Sequence, residues 1–405
     1  INGDWSSDVC SSDLFEKVQA PPPDAIFGVG EKYNASPLPR KYTLTVGVYR
    51  TEDAKPYVFE AVSKAEDIIA HKYSKDYLPM KGYQPFVDGA RQLLWGDEIL
   101  AKYGQQIASV QSCAGTGALY LTARFCLKNI KVPKVLLANP SWPNYKLIFA
   151  DHEIGFFPWL NSEHELNMEG ILETLNKEPE GSLVVLQVIA SNPSGTDPTR
   201  EQWNQIFDVV GKKKHIICFD FAYAGFASGS IEEDSQIVRE YAKLERNFFV
   251  SFSFSKCMGL YGERIGCLHA FCGSKDEASA VAGNLARIGR STWSVCPQNG
   301  SYIAHEVMTN PELKKLWFDE LKAISKRIAD LRVKFCQLLE EKTGKDWKFL
   351  IKQHGMFAYT FLTPEQVDKL YQQGVFIPTS GRVTVPLLNS ENIEFVADAF
   401  ANALK

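Results

Sequence analysis

The sequence of 405 residues contains no CxxC pair and no even cysteine framework. Its nine cysteines (Cys10, Cys113, Cys126, Cys218, Cys257, Cys267, Cys272, Cys296 and Cys336) are scattered. In a chain able to bury a large core, that spacing reads as reduced, buried thiols of an intracellular protein, not as a disulfide scaffold. The seven histidines show no HExxH or other ligand spacing, which argues against a metal site. No run approaches the ~18 apolar residues of a spanning helix. Charge of one sign is also missing: 44 Lys and Arg stand against 48 Asp and Glu, a formal net charge of −4. No net field therefore draws the chain to nucleic acid or to an anionic membrane. Internal repeats and low-complexity tracts are absent. With 45% hydrophobic and 23% charged residues, the composition is that of a folded globular protein.

Residues 1–14 have no start methionine, no hydrophobic period and none of the marks of a signal or transit peptide. They read as the translation of a DNA-sequencing adapter, a remnant standing in place of the native N-terminus. A genomic exon encoding this segment would refute that reading. The rest divides into an N-terminal arm with part of a small domain (15–50), a large domain (51–322) and the remainder of the small domain (323–405). The expected location is the cytoplasm. A mitochondrial one stays open, because the native N-terminus is taken to be missing.

Tyr42–Tyr49 reads as a short strand. Val58, Val62, Ala65 and Ile69 recur every three or four residues and predict a helix. Apolar runs at Lys134–Asn139, Ser182–Ile189, Ile216–Phe221, Phe248–Phe254 and Cys267–Phe271 then alternate with helical patterns such as Glu201–Gly211. Thr199 with Gln202 three residues later is a capping-box signature for that helix. Buried strands separated by helices indicate an α/β fold with a mostly parallel central sheet. From about Pro311 a long helix, Glu312–Glu341, precedes short strand candidates at Gly355–Phe361, Gly374–Ile377 and Arg382–Val385, a smaller α+β domain.

Four features fall where such a sheet presents ligand sites. Ala114-Gly-Thr-Gly-Ala118 opens a helix, and its small residues let a phosphate approach the backbone N–H groups; a plain tight turn would look the same. Asn192-Pro-Ser-Gly-Thr-Asp-Pro198 follows the strand ending at Ile189, where a Pro/Gly loop is the simpler reading. Asp220, in Phe219-Asp-Phe-Ala-Tyr223, ends an apolar strand and must be paired, either with a core arginine or with a ligand. Lys256 ends Ser251-Phe-Ser-Phe-Ser-Lys256, as a snorkelling edge charge or as an amine whose pKa can fall. Arg264 follows eight residues on.

Together the four match the needs of pyridoxal 5'-phosphate. That cofactor requires a lysine for its aldehyde, an acid for its ring nitrogen, donors for its phenolate oxygen and a phosphate cradle. Lys256, Asp220, Tyr223 with Asn192, and Gly115, Thr116, Ser253 and Arg264 supply these in turn.

These motifs, with Tyr261-Gly-Glu-Arg264, Lys75-Asp-Tyr-Leu-Pro79, Pro140-Ser-Trp-Pro-Asn144 and Pro378-Thr-Ser-Gly-Arg382, resemble the class I aminotransferases of fold type I over essentially Phe15 to Lys405. The resemblance implies ping-pong transfer of an amino group from L-aspartate to 2-oxoglutarate. It implies Trp142 stacked on the cofactor ring, Arg382 clamping the substrate α-carboxylate, and Gly47 where the arm approaches substrate. Arg290, for the distal carboxylate, and Tyr77, for the phosphate, would reach in from a partner subunit. A homodimer with shared sites follows, its proline arm at 20–24 embracing the neighbour. The chain departs from relatives at Ala114, Tyr145, Ser191, Ser194, Gly262, Val295 and Pro386. Tyr145 stands where relatives often carry a histidine that contacts the ring-nitrogen acid. A broad aromatic and dicarboxylate aminotransferase, a lyase on the same cofactor and a non-catalytic relative are the alternative readings.

Overall fold

The computed structural model describes residues 15–21, 24 and 27–405. The adapter reading of 1–14 and part of the proline arm (22–23) lie outside the described residues.

The central sheet has seven strands: β2 (Ile107–Cys113), β3 (Val135–Asn139), β4 (Ile154–Pro158), β5 (Leu183–Gln187), β6 (Ile216–Phe221), β7 (Phe248–Ser253) and β8 (Ile265–Phe271). Their spatial order is β2-β8-β7-β6-β5-β3-β4. β3 to β7 run parallel, and β8 is antiparallel to both β2 and β7. β5, β7 and β8 are buried along their whole length, which is why they read as predominantly apolar runs. Helices cover both faces. The one at Arg200–Lys212 begins with the expected capping box, Thr199 and Gln202 bonding each other's backbone N–H.

Two short ladders form the smaller unit. β1 (Tyr42–Thr43) pairs in parallel with β10 (Val375–Phe376), and β9 (Phe357–Tyr359) pairs antiparallel with β11 (Arg382–Thr384). The strand expected over Tyr42–Tyr49 is thus only two residues long. Beyond it the backbone groups bond elsewhere: the Thr45 carbonyl accepts from the Arg382 guanidinium and from Thr384 Oγ1. The helix expected from Val58 starts at Glu60, leaving Val58 exposed. Its first turn is capped from a distance, as Glu320 accepts from the N–H groups of Glu60 and Ala61 at 2.7 and 3.1 Å.

The long helix, Pro311–Thr343, has 33 residues and carries a buried stripe that includes Leu313, Trp317, Leu321, Ile324, Ile328, Phe335 and Leu339. Trp317 Nε1 donates to the carbonyl of Cys257, beside Lys256. Fifteen residues on, Arg332 donates to the carbonyls of Gly355 and Phe357 on the smaller unit. The two halves of the candidate site are therefore pinned to one rod.

Candidate active site

The carboxyl ends of β5, β6 and β7 meet the start of the helix Ala114–Phe125 around a cleft of about 490 Å³. Register brings Gln187, Asp220 and Ser251 side by side across these three strands. Of the residues singled out in the sequence, Gly115, Thr116, Trp142, Asn192, Asp220, Tyr223, Ser253, Lys256 and Arg264 all line the cleft. Gln187 also lines it and was not anticipated.

No ion pair joins Asp220 among the described residues, so the core-arginine reading is replaced by a neutral partner: Tyr145 Oη donates to Oδ2 at 2.6 Å. Oδ1 is buried and has no hydrogen-bond partner. Burial pushes the Asp220 carboxyl up to about 6, while the Tyr145 bond and the Lys256 charge hold it down. Lys256 is lowered to about 8, chiefly by burial; Asp220 opposes the fall, and the cations of Arg264 and Arg382 add to it. It is a buried amine that loses its proton more easily than a free lysine, not a snorkelling edge charge.

Asn192 Nδ2 donates to Tyr223 Oη at 3.4 Å, and Asn192 Oδ1 accepts from Arg382 Nη1 at 3.0 Å. Arg382 is buried, its guanidinium stacked 4.2 Å from the Phe357 ring centre, and its Nε is another buried donor without a partner. Burial lowers its pKa to about 10. A second hollow shares Trp142 and Asn192 with the first, is lined by Arg382 and opens past Pro378. Gly47 packs on the same phenyl ring: a Cβ there would lie 2.9 Å from Phe357 Cζ.

The cradle at Ala114 is built for close approach. A Cβ on Gly115 would come 3.2 Å from Ser253 Cβ. Ala114 and Arg264, both without the freedom of glycine, are held at φ of +58° and +52°. Arg264 Nη1 donates to the Tyr261 carbonyl at 2.9 Å and to Ser255 Oγ at 3.4 Å. The donor set suits a group with an anionic phosphate, a ring nitrogen to complete Oδ1 of Asp220, and a carbonyl within reach of an amine. Tyr77 and Arg290 stand apart on the exposed surface and do not line their own chain's cleft.

The chain matches the family of aminotransferases class I and II over residues 39–400. It is 37% identical to the chloroplastic aspartate aminotransferase of Arabidopsis thaliana, over 96% of this chain and 87% of that one. The cytoplasmic aspartate aminotransferase structure of Saccharomyces cerevisiae superposes with a TM-score of 0.93 at 36% identity, covering 97% of this chain and 98% of that one. An aromatic-amino-acid aminotransferase of Burkholderia pseudomallei, covalently bound to pyridoxal phosphate, also gives 0.93 and 36%, covering 97% and 100%. With its cleft built as described and these relatives matched end to end, the chain belongs to the class I and II aminotransferases.

Proposed function

We propose that this enzyme binds pyridoxal 5'-phosphate and transfers the amino group of L-aspartate to 2-oxoglutarate, releasing oxaloacetate and L-glutamate. The observation that carries the reading is that the Lys256 amine and the unpaired Oδ1 of Asp220 face one cleft, while the buried fork of Arg382 lines the adjoining hollow that shares Trp142 and Asn192 with it. The bound cofactor supplies a carbonyl that takes up the amino group and a ring that accepts the electron pair released at the substrate α-carbon.

The chain's own groups do the rest. Arg382 holds the α-carboxylate, with planar donors suited to two parallel bonds. Lys256 Nζ, which gives up its proton more readily than a free lysine, moves the α-proton. Asp220 keeps a proton on the ring nitrogen through Oδ1. Tyr223 and Asn192 orient the ring oxygen, while Trp142 roofs the site and keeps water away. Gly115, Thr116, Ser253 and Arg264 hold the phosphate.

Two chains complete each site in this proposal: the exposed Tyr77 and Arg290 serve the partner's cleft, Arg290 reading the distal carboxylate. A large unit at 51–322, with a small one made of 15–50 and 323–405, accords with the β1–β10 pairing that ties residues 42–43 to 375–376. Among the described residues no helix is long and apolar enough to cross a membrane. Independently of that, we propose a cytoplasmic location, with a mitochondrial one as the alternative.

The test is oxaloacetate formation by the purified chain reconstituted with pyridoxal phosphate, with aspartate and 2-oxoglutarate as substrates. Lys256→Ala should abolish it. Carbon dioxide in place of oxaloacetate, or full turnover by Lys256→Ala, would sink the proposal. The aromatic relative, equally similar in fold and identity, supports a second reading in which aromatic amino acids are also substrates. The ratio of kcat/KM for aspartate to that for phenylalanine decides between them.

A further inference from the structure

Four buried residues in the wall of the cleft form a hydrogen-bond chain whose direction is fixed at one end. The backbone N–H of Asn192 can only donate, and it bonds Oε1 of Gln187. That contact sets the orientation of the Gln187 amide and turns Nε2 toward Tyr145, to which it donates at 2.9 Å. With its oxygen already accepting, the Tyr145 hydroxyl sends its proton to Oδ2 of Asp220, at 2.6 Å. Asn192, Gln187, Tyr145 and Asp220 are all buried, so water does not compete for these bonds.

We propose that Gln187 and Tyr145 are positioning residues, a one-way relay that presents a fixed donor to Oδ2 of Asp220 and leaves Oδ1 alone to face the ring nitrogen of the bound cofactor. The inference rests on the reading of Asp220 as the ring-nitrogen acid. Oδ1 is the buried carboxylate oxygen without a partner, as the relay requires. An amide has no titration in the working range, and burial together with Asp220 keeps the Tyr145 hydroxyl protonated far above neutrality. The relay therefore holds one direction at every working pH.

Reversing the direction provides the test. The readout is the equilibrium dissociation constant of pyridoxal phosphate from the holoenzyme, always expressed relative to wild type at the same pH. Comparison at one pH keeps the same neighbours, Lys256, Tyr223, Cys218 and Arg264, around this corner in every variant, so the ratio reports the change at Gln187 or Tyr145 together with the answering shift of Asp220, which the Tyr145 bond holds down. Tyr145→Phe removes the donor and should raise the constant about 10- to 100-fold, the weight of a hydrogen bond to a charged group. Gln187→Leu leaves Tyr145 free to donate and should raise it less. Gln187→Glu is the discriminating variant. At about pH 6, burial keeps the new carboxyl protonated, and it can still donate to Tyr145. At about pH 9 it ionises, accepts from both sides and turns the Tyr145 proton away from Asp220. Its ratio should climb with pH to the level of Tyr145→Phe. A scaffolding role orders the variants differently: Gln187→Leu, which changes shape, would be worst, and the isosteric Gln187→Glu harmless at both pH values. That order, or Tyr145→Phe within about twofold of wild type, overturns the proposal. Failure of the wild-type chain to take up pyridoxal phosphate overturns the underlying reading of the site, and is seen before any variant is made.

Discussion

Lys256 Nζ lies 5.8 Å from the ring centre of Tyr223 and 5.9 Å from that of Tyr261. Its lowered pKa of about 8 is a balance of burial and the Arg264 and Arg382 cations against the Asp220 carboxylate, so the sign of each change is fixed. In the cofactor-free protein, labelling of this amine by an acylating reagent should rise with pH to a half-maximum near that value. Arg382→Gln removes a like charge and should move the profile to higher pH; Asp220→Asn removes the opposing charge and should move it lower. Arg290, exposed on its own chain, is expected to cost activity through the partner's cleft. Arg290→Leu should lower kcat/KM for aspartate about 10- to 100-fold and spare phenylalanine, as steady-state kinetics on both substrates would report. Most lining residues were legible because glycine, proline and charge punctuate the strand ends that present them. Gln187 was not, being a lone amide closing the apolar run Leu183–Gln187, with nothing local to mark it.

The start of the helix Ala114–Phe125 rests directly on β8. A Cβ added at Gly266 would sit 2.7 Å from the carbonyl carbon of Ala114 and 2.9 Å from the Phe252 carbonyl oxygen. Backbone on both sides cannot yield as a flexible side chain would. Gly266→Ala should therefore push the cradle out of place, lowering stability by about 1–3 kcal/mol and weakening phosphate affinity together. Denaturant unfolding and a phosphate competition titration would check the pair. At this scale β5, β6, β7 and β8 could be read from runs in which apolar residues dominate. β2 could not, because Ser109, Gln111 and Ser112 interrupt it. The fold pairs them with His269, with Tyr83 N–H and the Pro297 carbonyl, and with the Ala114 carbonyl. β4 is a short edge strand with Phe156 exposed and a proline at its end, so its pattern carries little signal.

Across the molecule, acid tolerance depends on groups the fold buries uncharged. His269 is buried, bonded through Nδ1 to Ser109 Oγ at 2.8 Å, and its pKa is lowered to about 3, first by burial and then by Arg91. An unfolded chain takes up this proton near pH ~6.5, whereas the native state refuses it until far lower. The associated stability is complete above that range and is lost as pH falls from ~6.5 toward 3. His269→Gln should flatten that part of the stability profile, by up to about 1 kcal/mol per pH unit, in melting curves recorded between those limits. The 33-residue helix has a further bearing on the whole. A gene bisected between codons 322 and 323 would sever it inside its apolar stripe, between Leu321 and Ile324. The loop after Thr343, where Gly344 already reverses the backbone at φ +64°, is the place to attempt a two-piece enzyme.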